Sequence, residues 1–136
     1  EDDDDVKAQL VYTLGQLKHT AAISQITSLM ASSHIALKIE CIRTLSQFPT
    51  TQNIPETHLN HDDPHVRIEA LRHLIRSNPD EFCTRAAKLF RDKNPGVRCT
   101  VVIGLKSLGT KTAAEILMAL PKDPHPEVRR HLNREP

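Results

Sequence analysis

Five short segments of this chain superpose on one another, and that recurrence limits its fold more than any other feature. Val6-Lys7-Ala8-Gln9-Leu10, Leu37-Lys38-Ile39-Glu40-Cys41, Val66-Arg67-Ile68-Glu69-Ala70, Val97-Arg98-Cys99-Thr100-Val101 and Val128-Arg129-Arg130-His131-Leu132 follow one another at spacings of 31, 29, 31 and 31 residues. Four residues beyond the fifth position stands a further leucine in each complete copy: Leu14, Leu45, Leu74 and Leu105. A fixed period in this range marks stacked supersecondary units, none of which can bury its apolar face alone.

Inside the unit the period is helical. Counting from the Val/Leu as zero, positions 0, +4, +5, +8 and mostly +11 are apolar, which is one face of a 3.6-residue helix. The starts carry their own signals. Asp63-Pro64, Asn94-Pro95 and His125-Pro126 put proline in the first turn, where its missing N–H costs nothing, behind a residue placed to cap free amides. His125 is the poorer capping type, and Asp3 holds the same place in the first copy. Between these helices Ala21 to Met30, Pro79 to Arg91 and Thr112 to Leu120 read as a second set of two to three turns. The stretch Ile54 to Asn60 is short and polar and predicts barely one or two turns. Strand-like alternation is missing. The sequence therefore predicts an all-α chain of about three full helix–turn–helix repeats, with half-repeats at each end.

At 136 residues this is one domain, residues 1–136, expected to be a fragment of a longer protein because it lacks an initiator Met. No run approaches the roughly 18 apolar residues of a membrane span, so membrane insertion is not expected. The opening Glu1-Asp2-Asp3-Asp4-Asp5 has the wrong charge for a secretory signal. Cys41, Cys83 and Cys99 are odd in number and far apart, which argues against a disulfide framework and for a reducing, cytoplasmic setting. A monomer is expected. Charge is uneven: through residue 61 there are four basic and seven acidic residues, and from residue 62 onward fourteen and ten. That asymmetry suggests an acidic partner for the second half, or simply a solvated face.

The pattern x-P-x-V-R-x-E-A-L-x-x-L at residues 63–74 resembles the HEAT-repeat superfamily, and the short unit is similar to its phycobilisome-lyase HEAT-like type. The resemblance implies a right-handed α–α superhelix, a HEAT-like solenoid, whose Val-Arg helices are the inner ones lining a concave side. It implies use as a scaffold, and does not identify the partner.

The basic residue at +1 (Lys7, Lys38, Arg67, Arg98, Arg129) points into the middle of the apolar arc, where an unpaired cation is costly. Acids stand just upstream at Asp62, Asp63, Asp92 and Asp123, so a structural Asp–Arg ladder linking neighbouring turns is expected. Lys38 is its doubtful rung, because Ser32-Ser33-His34 supplies no acid.

Positions +3, +6, +7 and +10 lie opposite the core and form a four-by-four grid on the inner helices. Tyr12, Arg43, Arg72, His73, Arg76 and Ile103 are the expected partner contacts there, since Tyr and Arg often anchor interfaces. The competing reading makes Glu40–Arg43 and Glu69–Arg72 ordinary i,i+3 pairs worth ~0.2–0.5 kcal/mol each.

Enzyme chemistry finds little support. Deoxyhypusine hydroxylase, a HEAT enzyme, holds iron with His-Glu dyads at +2 and +3; here those positions read Ala8-Gln9, Ile39-Glu40, Ile68-Glu69, Cys99-Thr100 and Arg130-His131. His58, His61 and His65 cluster beside Asp62 and Asp63 and could hold a metal, but caps and chance explain them too. No metal or cofactor is therefore expected. Cys41 and Cys83 fall at or near core positions. The expected function is a non-catalytic scaffold or adaptor that binds a protein partner. The alternative is phosphate-backbone nucleic-acid binding through residues 67–111, which carry ten basic and four acidic residues but few aromatics for base stacking. A lyase-like or metal-dependent activity is the remaining alternative.

Overall fold

The computed structural model describes residues 2–18, 20–48 and 56–132. The helices are α1 (Asp2–Gln16), α2 (Ile23–Leu29, preceded by a 3₁₀ turn at Thr20–Ala22), α3 (Ile35–Leu45), α4 (Glu56–Leu59), α5 (Pro64–Ser77), α6 (Pro79–Leu89), α7 (Pro95–Leu108), α8 (Lys111–Ala119) and α9 (Pro126–Leu132). Among the described residues there is no strand. The odd-numbered helices carry the Val-Arg segments, and the even-numbered ones are the second set. The fold is all-α and of the helical-solenoid class. The short connector at Ile54 to Asn60 yields four helical residues, with Ile54 itself outside the described part.

The chain forms two compact units, residues 1–73 and 74–136, divided within α5. In the first, α1 and α2 pack on α3. Val11, Ile26, Leu37, Cys41, Ile42, Leu45 and Val66 are the center of its core. In the second, α7 packs with α6, α8 and α9. Phe82, Val97, Val101, Val102, Leu105, Ala113 and Val128 are each almost fully buried there. Burying one Leu, Ile, Val or Phe side chain stabilises by roughly 1.5–3 kcal/mol, so these two clusters dominate the favourable side of folding. Position 0 is buried in every copy but the first: Val6 is 65% exposed, and Leu10 at +4 is 56% exposed, against near-complete burial of Val66 and Val97.

Each turn into a Val-Arg helix repeats one hydrogen-bonding device. The side chain at −5 accepts the N–H of residue −3: Ser32 from His34 (3.1 Å), His61 from Asp63 (3.0 Å), Asp92 from Asn94 (2.8 Å) and Asp123 from His125 (2.8 Å). The side chain at −3 then caps the helix. His34 accepts from Leu37, Asp63 from His65, Asn94 from Gly96 and Val97, and His125 from Glu127. His34 and His125 cap through Nδ1, a lone pair that an imidazole offers when its proton is on Nε2. Asp3, by contrast, lies inside α1 and pairs with Lys7 at 2.7 Å.

The arginine at +1 closes the same turn. Arg67 Nη1 donates to the carbonyls of His61 (2.7 Å) and Asp62 (2.9 Å). Arg98 Nη1 donates to Asp92 (2.7 Å), and Arg129 Nη1 to Asp123 (3.1 Å) and Pro124. The anticipated carboxylate partner is thus replaced, at these atoms, by main-chain oxygens. A carboxylate pair also spans successive turns: Arg98 Nε and Nη2 meet Asp123 Oδ2 and Oδ1 at 2.7 and 3.1 Å. Its acid comes from the following turn, not the preceding one. Asp62 contributes its main-chain carbonyl and Asp63 its capping oxygen.

Candidate functional site

On α3, α5 and α7 packing occupies much of the helix surface, and what remains is narrower than a helical wheel suggests. At +6 stand Tyr12, Arg43, Arg72 and Ile103, and at +10 Gln16, Gln47, Arg76 and Ser107; all eight are exposed. On α1 Gln9 at +3 and Thr13 at +7 are exposed as well, but on the later helices these positions behave differently. Glu69 and Thr100 at +3, and Thr44, His73 and Gly104 at +7, are buried. His73, expected among the partner contacts, is only 4% exposed and is therefore corrected out of that set.

The reason is the packing of each Val-Arg helix against the next, through +9 of one and +7 of the following. A Cβ added to Gly15 would lie 2.7 Å from Thr44 Cγ2. Ser46 Oγ and His73 Nδ1 are hydrogen-bonded at 2.8 Å. Because the Ser46 hydroxyl proton already goes to the Ile42 carbonyl (2.8 Å), the ring N–H of His73 is the donor. A Cβ on Gly104 would lie 2.5 Å from Ile75 Cδ1 and 3.0 Å from Phe82 Cζ. A large residue on one side of the seam meets a small one on the other, as close packing demands.

In the first unit the exposed column carries a charge network. Glu69 Oε1 accepts from Arg43 Nη2 (3.1 Å) and Arg72 Nη1 (2.9 Å). Arg43 Nη1 also reaches Glu40 Oε2 at 3.4 Å, and Glu40 Oε1 accepts from Thr44 Oγ1 at 3.2 Å. Glu69 is buried, whereas the side chains of both arginines are about half exposed. The two i,i+3 pairs are present, and a cross-helix pair, Arg43–Glu69, joins them. Each guanidinium has donors to spare, since Arg carries five N–H groups in a rigid fork. Tyr12, on α1, is 45% exposed. In the second unit the exposed residues are Arg76 and Ile103, the latter 49% exposed.

The cysteine thiols are shifted towards their protonated form. Burial, then the charge of Glu40, pushes the Cys41 thiol up to about 12, so it stays protonated at neutral pH. Cys83 and Cys99 are raised as well, first by burial and then by nearby carboxylates. His58 is buried on α4 with Nδ1 3.4 Å from Thr57 Oγ1, while His61 lies beyond that helix with Nδ1 engaged by Asp63. Those two histidines therefore do not share a helical face. Among the described residues no group of three or more His, Cys, Asp or Glu side chains is arranged to hold a metal ion. No described helix is long and apolar enough to cross a membrane.

Asp123 is the most constrained acid. Burial works to raise its pKa, but the Arg98 hydrogen bond, the His125 N–H and the guanidinium charge outweigh it and hold the carboxyl below the ordinary range.

The −5 device and the seam were both missed from sequence. The first had a visible signal, the series Ser32, His61, Asp92, Asp123 at one register position. The second had a fainter one, glycine at +9 in one copy and +7 in another.

Comparison with known proteins gives two results. None of the curated proteins matches the chain. The family model for HEAT repeats matches residues 56–134, more than half of its length. With the period, the paired helices and the repeated turn in agreement with that match, the chain belongs to the HEAT-repeat family.

Proposed function

We propose that the chain is a non-catalytic scaffold that binds a protein partner through the +6 and +10 columns of its Val-Arg helices. HEAT repeats commonly serve protein interaction. The observation that carries the reading is the exposure of those columns on α1, α3, α5 and α7, while position +7 is buried on α3, α5 and α7. In the first unit Tyr12, Arg43 and Arg72 are the contacts, with Glu69 holding both guanidiniums in place so that little side-chain entropy is lost on binding. In the second unit Arg76 and Ile103 take that role. The short period favours the phycobilisome-lyase HEAT-like form of the repeat, without any lyase chemistry attached to it.

Nucleic acid is the weaker reading. Several cations of residues 67–111 are already engaged: Arg72 by Glu69, Arg85 by Glu81, Arg98 by Asp123. The one exposed aromatic is Tyr12, outside that stretch. Affinity capture with wild type, Tyr12→Ala and Arg72→Ala tests the proposal, with circular dichroism confirming that each variant folds. A partner retained by wild type and lost from both variants supports it. Binding to generic duplex DNA that falls steeply with salt, unchanged by Tyr12→Ala, would replace it with the nucleic-acid reading.

A further inference from the structure

We propose a second binding site, on the second unit, that takes an acidic peptide segment carrying an apolar side chain. It is a cavity of about 620 Å³ where the last turns of α6 and α8 meet the α6–α7 and α8–α9 turns. That volume is within the range of pockets that hold ligands, roughly 300–1,000 Å³. Its apolar lining comes from Phe90, which is buried, and from Ile116 and Leu120, which are half-buried. Three cations line it too: Arg91, Lys93 and Lys122.

Charge identifies the occupant. Arg98 and Asp123 also line the cavity, but they neutralise each other through the pair already described. The other acid of the lining, Asp92, spends Oδ1 on the Asn94 N–H. Arg91, Lys93 and Lys122 are exposed, and their side chains have no hydrogen-bond or ion-pair partner among the described residues. An apolar recess ringed by uncommitted cations is complementary to an apolar side chain flanked by carboxylates. The cations stand on two different turns, Arg91 and Lys93 on one and Lys122 on the other. Several carboxylates spread along a chain suit that spacing better than the single headgroup of a fatty acid. Phosphate backbone suits it less, because the only aromatic in the lining, Phe90, is too buried to stack on a base. The site lies outside the +6 and +10 columns, so it stands or falls independently of the function proposed above.

The test is titration of the ¹⁵N-labelled 136-residue chain, followed by amide shifts. The probe is a blocked hexapeptide with a central leucine–phenylalanine pair and two acidic residues on each side. Saturable shifts are expected at Arg91, Lys93, Leu120 and Lys122, weakening as salt rises. Lys93→Glu with Lys122→Glu should weaken binding about tenfold or more, as expected for reversed charges at a binding rim. The melting temperature should hardly move, since neither lysine has a partner to lose. The proposal is overturned if no shifts appear at millimolar peptide, or if they map to Tyr12, Arg43 and Arg72. Equal binding by a hexapeptide with lysines in place of the acids, or saturation of the same amides by octanoate but not by the peptide, would also overturn it.

Discussion

The two units build the same turn from different side chains. In the first, the turn before α3 is held by Ser32 and His34 with Lys38 at +1, and the turn before α5 by His61 and Asp63 with Arg67 at +1. In the second, the turns before α7 and α9 use Asp92 with Asn94 and Asp123 with His125, and the +1 residues are arginines that bond main-chain carbonyls. In the second unit a bidentate carboxylate pair, Arg98–Asp123, joins successive turns. Helix endings differ in the same sense. At +12, α1 is followed by Lys18 at φ 51°, while α7 ends on Gly109 at φ 63°. A left-handed backbone suits glycine and strains lysine. The lesson is that one backbone device tolerates several chemistries, and that their cost should be readable residue by residue.

The largest expected effect tests the ion pair. Arg98→Met leaves Asp123, 4% exposed, without its cation and should destabilise by about 2–4 kcal/mol, somewhat less than a fully buried pair because Arg98 is partly exposed. Lys38→Met, at the same register position with no side-chain partner among the described residues, should change stability by less than about 0.5 kcal/mol. Urea unfolding of both variants checks this, and equal losses would erase the contrast.

Acid sharpens the same point. Asp123 has a folded pKa below its unfolded value, so its contribution is fully present above the unfolded pKa and disappears as pH falls through the folded one. Stability of the wild type should therefore decline on acidification below the ordinary aspartate range. Asp123→Asn should show less of that decline, measured by thermal melts across acidic pH.

Next in size is the seam. Gly15→Ala places a methyl against Thr44 Cγ2, a stiff β-branched group, and should cost about 1–2 kcal/mol even after the gain in helix propensity. Thr44→Ser removes that methyl and should restore most of the loss. A double-mutant cycle reads the coupling. Smallest is the helix ending: Lys18→Gly should stabilise by about 0.5–1 kcal/mol and Gly109→Lys destabilise by a similar amount. Chemical denaturation of both variants gives the two signs.

Much of this was legible beforehand. Val66, Leu71, Val97 and Leu105 follow the helical period into the core, and Asn94-Pro95 marks the start of α7 where it occurs. The family assignment rests on the same regularity. What the period could not reveal was burial at +3 and +7, because a wheel describes one helix and those positions are covered by its neighbour. Glu69 and His73 look polar and outward in isolation; a second helix hides them. The cavity on α6 and α8 was equally invisible, being shaped by two turns 31 residues apart in sequence. The charge asymmetry of the second half was its sole trace.

The alternation of bulk along the seam has a consequence for how such an array can grow. Copying the second repeat in tandem would set Ser46 against another Thr44, two modest side chains that can coexist. Copying the third would drive Ile75 into a second His73, where the existing junction provides a glycine. Neighbours in this stack are keyed to one another, so the order of its repeats is itself inherited information and cannot be shuffled freely.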